Sequence, residues 1–283
     1  MRQGQPAQTR RVLRYAFIYA LLLLFAIVTL APLAWGISTS LKPHSDVFAY
    51  PPQWIPETIQ WRNYTDAWNL APFGRYYFNS IYITALIVIG HIITSSMGGF
   101  AFSRLQFPGR DTLFLVYLAS MLIPGTVMMI PVFLVVRALG WTDSHLALIV
   151  PSLASPFGTF LFRQFFLSIP EELADAAHLD GCTPFGIYRR VFMPLARPAT
   201  ATLAIFTAMS VWNSFLWPLI LINSEDKYTV TLGLGLLRGL SQFQVAWELL
   251  MAGTATAMIP IVIVFLFFQR YFVEGVTLSG VKG

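Results

Sequence analysis

The side chains able to do chemistry fall into two groups. One is a row of carboxylates, Glu171, Glu172, Asp175 and Asp180, which surrounds the small pair Ala176-Ala177 and ends at Gly181. Alanines permit close backbone approach, so this arrangement suits a knob entering a groove on another surface. The other group lies inside long apolar runs. Trp212-Asn213 sets an aromatic face beside an amide, which suits the apolar face and hydroxyls of a sugar; a Trp packing on a neighbouring helix with Asn bonding across it reads equally well. His91 stands without clustered acid or Cys partners and reads as an interhelical or cavity-lining hydrogen-bond donor rather than a metal ligand. Met128 and Met129 lie between Pro124 and Pro131, either a kinked gate-like segment or an ordinary Pro-bent helix. There is no H-E-x-x-H or G-x-S-x-G motif and no paired carboxylate within the apolar runs, so no catalytic residue is expected. Cys182 is the single cysteine, which excludes an intramolecular disulfide and a Cys-rich metal site; no metal site is expected.

The elements that hold these residues follow from composition. Of 283 residues, 56% are hydrophobic and only 11% charged, less than half the roughly 25% of a soluble domain. So little polar surface implies a lipid bilayer as solvent. The net charge of +5 is dispersed between apolar runs without stacking aromatics, which argues against nucleic acid as a partner. Six windows free of Asp, Glu, Lys and Arg are bounded by Arg14 and Lys42, Arg75 and Arg104, Asp111 and Arg137, Asp143 and Arg163, Arg197 and Glu225, and Glu248 and Arg270. A spanning helix takes about 20 apolar residues, and backbone groups in lipid must bond within the segment. The windows predict helices over 15–39, 77–103, 112–136, 144–162, 198–223 and 249–269: an all-α polytopic membrane protein with six transmembrane helices. The first window is longer than the apolar core of a signal peptide, about 7–15 residues, and five spans follow it, so it reads as a retained helix. With residues 1–14 as a cytoplasmic tail, twelve Lys and Arg fall inside and six outside, which predicts both termini in the cytoplasm. The outside stretch 40–77, with Trp54 and Trp61, reads as irregular and aromatic-rich, suited to the headgroup level or to docking. Ser95 and Gly99, four apart, form a small-residue stripe for close helix packing.

The inside loop 163–197 is the most structured part of the pattern. Ser168 and Glu171 have the spacing of a capping box, with Pro170 in the first turn, which predicts a helix over 170–179 bearing Leu173, Ala176 and Ala177 on one face. Asp180-Gly181 stops it. Thr183-Pro184 restarts a second helix, with Phe185, Tyr188 and Phe192 on one face and Pro194 at its end. Geometry leaves two readings: a knob that docks on a partner, or an amphipathic hairpin held on the inner leaflet by Phe185, Arg189 and Arg190.

Asp175-Ala176-Ala177, Asp180-Gly181 and Met193-Pro194 resemble the EAA loop of ATP-binding-cassette (ABC) importer permeases. The resemblance extends over nearly the whole chain: Ser40-Leu41-Lys42-Pro43, Asn79-Ser80, Phe102-Ser103-Arg104, Phe107-Pro108-Gly109, Trp212-Asn213 and the ending Gly280-Val281-Lys282-Gly283 are similar to the carbohydrate-uptake branch. Asp175 departs from the family's Glu, with Glu171 and Glu172 just upstream. The resemblance implies the type I importer permease fold as a single domain over 15–283 in a bacterial inner membrane, and a mono- or oligosaccharide substrate. It implies as partners a second permease, two ATPase subunits and an extracytoplasmic solute-binding protein. Glu171, Glu172, Asp175, Ala176, Ala177, Asp180, Gly181 and Pro194 would form the ATPase-coupling loop, and Trp212, Asn213, His91 and Met128 the substrate path. No G-x-x-x-x-G-K-[ST] loop is present, so this chain is expected to carry no cofactor, with ATP and Mg bound by the partner ATPase. The run 160–166 and Trp212-Asn213 also resemble glycerol-phosphate permeases. An ion-coupled secondary transporter is the remaining rival; the windows lack the intramembrane charges it would need.

Overall fold

A computed structural model describes residues 5–240 and 245–280, with side chains over 11–237, 245–267 and 269. Arg2 and Val281-Lys282-Gly283 lie outside the described residues. The elements in chain order are α1 (Gln5–Ser40), α2 (Arg62–Asn69), α3 (Phe73–Arg104), α4 (Arg110–Ala119), α5 (Met129–Ala138), α6 (Leu146–Ile149), α7 (Pro156–Leu167), α8 (Glu172–Leu179), α9 (Pro184–Ile187), α10 (Met193–Leu195), α11 (Arg197–Trp212), α12 (Leu216–Leu221), α13 (Val230–Leu240) and α14 (Trp247–Gly280). Among the described residues there is no strand.

Among the described residues, Arg11–Ser40, Phe73–Arg104, Leu146–Leu167 and Trp247–Phe267 are long and apolar enough to cross a membrane, and α9–α10 with α11, bent by 77°, make a fifth such path. The window 112–136 is not the continuous helix its composition suggests. A 3₁₀ turn (Ser120–Leu122) follows α4, Ile123 is extended, and α5 begins only at Met129. Pro124 is the cause: it pushes the preceding residue out of the helical region and donates no N–H. The window 144–162 is likewise divided by a 3₁₀ turn at Val150–Ser152, after which Ser155 turns extended and caps α7 by accepting from Gly158 N at 3.0 Å. The window 198–223 breaks between Trp212 and Leu216. The stretch 40–77 contains α2 and the first turns of α3, so it is more ordered than its composition suggested.

The chain divides into two compact units. In the first, residues 1–70 and 237–256, Asn63 donates its amide to Ser40 O (2.9 Å) and Lys42 O (2.8 Å), pinning the turn that follows α1. Lys42 is fully buried with its ammonium 4.0 Å from the Trp35 ring centroid. Burial pushes its pKa below the usual value, against the opposing pull of Asp46.

In the second unit, residues 71–236 and 257–283, α3 packs along α7 and α11. The α3–α7 approach needs a residue without a side chain: a Cβ on Gly99 would lie 2.6 Å from Phe162 Cβ and 2.9 Å from Arg163 N. Ser95 is fully buried in the same contact, as the small-residue stripe implies. One apolar core joins Ile83 and Ile87 of α3 to Val136, Ala147–Ile149, Leu221 and Leu232. The other joins Phe100 of α3 to Phe162 and Phe166 of α7 and to Ile187, Phe192 and Ala199 further on. Asn79 donates to Asp226 O (3.0 Å) and Tyr228 O (2.9 Å), and Ser80 accepts from Val230 N (2.8 Å), so this pair fixes the loop before α13. Asp143, at φ 57°, accepts from Asn223 N and Ser224 N (both 2.9 Å), Ser224 Oγ (2.5 Å) and Lys227 Nζ (2.9 Å). The Ser224 hydroxyl first, then the backbone N–H groups and the Lys227 ammonium, hold its carboxyl well below the usual carboxylate range.

Candidate coupling surface and substrate path

The inner segment is built on the end of α7. Ser168 does not open a capping box, because it still belongs to that end: its hydroxyl donates back to Phe165 O at 2.7 Å. Helix α8 begins at Glu172, with Glu171 at the N-cap position and no side-chain capping bond from it. Glu172 and Asp175 fall in its first turn and His178 in its last, the charge order that the helix dipole favours. Ala174 and Ala177 rest on the aromatic core, while Leu173, Ala176 and Leu179 are exposed, Leu179 at 88%. Glu171, Glu172, Asp175 and Asp180 are exposed around them.

Gly181 terminates α8 at φ +79°. Its N–H reaches His178 O (3.0 Å) and that of Cys182 reaches Ala177 O (3.0 Å), the paired bonds of a Schellman stop. Thr183 then accepts from Gly186 N at 3.2 Å and, with Pro184, opens α9 as its sequence predicts. The next turn, Tyr188–Phe192, is π-helical. Pro194 does not end the helix. The helical run passes through it and ends one residue later, at Leu195, with the bend at Ala196.

The seat beneath is aromatic. Phe162, Phe166 and Phe192 are each fully buried. The Phe192 ring centroid lies 5.2 Å from that of Phe100 and 5.4 Å from that of Phe166, both edge-on. Tyr188 adds a polar tie. Ser96 Oγ donates to Ile92 O (2.5 Å) and so accepts from the Tyr188 hydroxyl (2.7 Å). Arg104 donates to Phe166 O (2.6 Å) and to Ile169 O, satisfying carbonyls at the end of α7. Its guanidinium carbon lies 5.0 Å from the Phe192 ring centroid. Tyr188 and Phe192 share a face as the sequence predicts, whereas the buried Phe162 and Phe166 that complete the seat, and the carbonyls that Arg104 satisfies, were not legible in it.

Of the four candidate substrate-path residues, His91 lines a cavity among the described residues, and Trp212, Asn213 and Met128 are not in its lining. Trp212 is buried, its indole N–H donating to Ala257 O at 3.1 Å. Asn213 is exposed and its amide donates to Met209 O at 2.8 Å. Met128 immediately precedes α5 and is partly exposed. His91 Nδ1 bonds the Thr207 hydroxyl at 2.9 Å, bridging α3 and α11, and its side chain lines a cavity. Among the described residues no cluster of three His, Cys, Asp or Glu could hold a metal.

Comparison with known proteins places these features in context. Residues 92–278 match the family described as binding-protein-dependent transport system inner membrane component. The arabinooligosaccharides transport system permease protein AraQ of Halalkalibacterium halodurans is 36% identical over 95% of this chain and 94% of its own length. The sn-glycerol-3-phosphate transport system permease protein UgpE of Pectobacterium atrosepticum is 31% identical over 92% and 94%. Among solved structures, a chain of a bacterial ABC transporter involved in the import of the acidic polysaccharide alginate superposes with a TM-score of 0.83 at 26% identity, covering 96% of this chain and 100% of that one.

Proposed function

Because this chain belongs to the family of binding-protein-dependent transport system inner membrane components, we propose that it is a permease subunit of an ABC importer that moves a mono- or oligosaccharide across the bacterial inner membrane. The observation that carries this reading is the inner segment: two helices parted at Gly181, the first presenting Leu173, Ala176 and Leu179 amid four carboxylates, on a fully buried aromatic seat. An exposed apolar knob with an acidic surround suits a cleft with basic edges on a cytoplasmic ATPase. In this reading ATP and its Mg²⁺ bind on that separate subunit, and nucleotide-driven closure biases a two-state packing of this permease against a second, homologous one. A solute-binding protein delivers the substrate from the extracytoplasmic side, and both termini face the cytoplasm. The carbohydrate assignment is supported by the 36% identity to an arabinooligosaccharide permease. The 31% identity to a glycerol-phosphate permease supports a polyol ester as the alternative substrate.

The test is recovery of the chain from its native membrane in gentle detergent, with partners identified by mass spectrometry. A homologous permease and a P-loop ATPase should accompany it and be lost when residues 175–181 are replaced by a flexible linker. Recovery of the chain alone, with transport intact, would sink the proposal and put the segment on the lipid surface.

A further inference from the structure

A half-open cavity of about 340 Å³ lies within the second unit, bordered by α3, α5, α6 and α12 and by the ends of two interruptions in the helices. Pro151 and Ser152 line it from the 3₁₀ turn before α7. Ser210, Ser214 and Trp217 line it from either side of the break between α11 and α12. Irregular backbone at membrane depth is tolerated only where protein buries it or where it borders a polar cavity. In transporters, interrupted helices that meet at a cavity are where substrates bind. Here two such interruptions open onto the same space; of the residues that the sequence singled out, His91 lines it and Trp212 and Asn213 do not.

The lining specifies a chemistry. The hydroxyls of Ser152, Ser210 and Ser214 make no side-chain hydrogen bond among the described residues, so each is free to donate and to accept. Trp217 supplies an aromatic surface, and His91 stands at the wall with its Nδ1 already engaged by Thr207. Among the described residues no Asp, Glu, Lys or Arg lines the cavity. An anion placed there would lose its hydration without gaining a counter-charge, a penalty of several kcal/mol per ion. A neutral ring with hydroxyls on its rim and C–H bonds on its face would lose little. The volume sits near the lower end of the roughly 300–1,000 Å³ of ligand pockets, enough for one ring.

We propose that this cavity is a subsite on the translocation path that holds one neutral sugar ring, with Ser152, Ser210 and Ser214 bonding its hydroxyls and Trp217 covering its face. The assignment rests on the carbohydrate reading above and narrows it, since an uncharged cavity selects neutral glycans over phosphate esters and uronates.

The experiment uses the whole transporter, with uptake of labelled arabinotriose and of sn-glycerol 3-phosphate as the two probes. Ser210→Leu and Ser214→Leu fill the cavity. Each should lower arabinotriose uptake by about tenfold or more, as misfit in a shaped pocket does, with the amount in the membrane unchanged. Ser210→Ala keeps the space and removes one hydroxyl, so a loss of only about two- to tenfold is expected. If a leucine variant fails to reach the membrane, indole fluorescence of the unmodified complex replaces it: arabinotriose should change the emission, and Trp217→Phe should abolish that change. Undiminished uptake in both leucine variants, or an arabinotriose response unaffected by Trp217→Phe, overturns the subsite while leaving the permease assignment standing. Uptake of sn-glycerol 3-phosphate at a rate matching arabinotriose overturns its neutral selectivity. Uptake of neither probe by the unmodified transporter removes the carbohydrate reading and the subsite with it.

Discussion

At the scale of single residues, Gly181 separates a backbone role from a packing role. A Cβ there would meet nothing within 4 Å, so its requirement comes from φ +79° alone. Forcing a β-branched residue into that region costs about 1–3 kcal/mol, enough to unwind the Schellman stop and turn α8 away from α9. Gly181→Val should therefore insert normally while uptake falls and ATP hydrolysis by the complex continues uncoupled. Gly181→Asn, whose side chain tolerates the left-handed region, should keep much of the coupling. Equal loss in both variants, measured as the ratio of sugar moved to ATP hydrolysed, would assign the effect to side-chain bulk instead. Asp143 makes a prediction of another kind. Its pKa is depressed in the folded chain, so the stability it adds is fully present above the unfolded value of about 3.9 and is lost as pH falls below that. Asp143→Asn should lower the melting temperature of the detergent-solubilised protein by the equivalent of about 1–2 kcal/mol. The gap to the unmodified chain should be flat between pH 6 and 8 and narrow below about pH 4. A gap that widened in acid would contradict the assignment.

Among the elements, the α3–α7 pair decides where the inner segment sits. Gly99 lets the helices approach until Phe162 and Phe166 reach Phe192. Gly99→Ala must move Phe162 or the backbone at Arg163, at a cost of about 1–3 kcal/mol for overpacking; reduced thermal stability with weakened recovery of the ATPase is the expected result, read by the same pull-down. This is also where the sequence was least legible. Charge-free windows detect length and apolarity, so they located the long helices but were blind to the breaks at 123–128, 150–155 and 213–215, which contain no charge. The S-x-x-E spacing of Ser168 and Glu171 suggested a cap because the pattern cannot tell a residue starting one helix from a residue finishing another. The stop at Gly181 and the start at Thr183 were legible because each rests on one backbone rule with no competing partner.

For the molecule as a whole, the bias of Lys and Arg between loops sets the orientation, and it can be read with a single label. In a Cys182→Ser background, Leu179→Cys and Leu139→Cys place thiols at residues 88% and 52% exposed in the wild-type chain. A membrane-impermeant maleimide should modify Leu139→Cys in intact spheroplasts and Leu179→Cys only in inverted vesicles; the reverse pattern would invert the topology. Family membership explains why the inner loop was recognisable while the cavity was not: the loop is a contiguous run, whereas Ser152, Ser210 and Trp217 come from distant stretches and converge only through folding. The three buried phenylalanines have one further consequence. A gear transmits its stroke only if its bearing does not yield. A seat packed to the density of a crystal is such a bearing, so a displacement of α8 of an ångström would reach α3 nearly undiminished. Carving a void beneath α9, as Phe192→Ala would, adds slack to the train before it weakens any tooth.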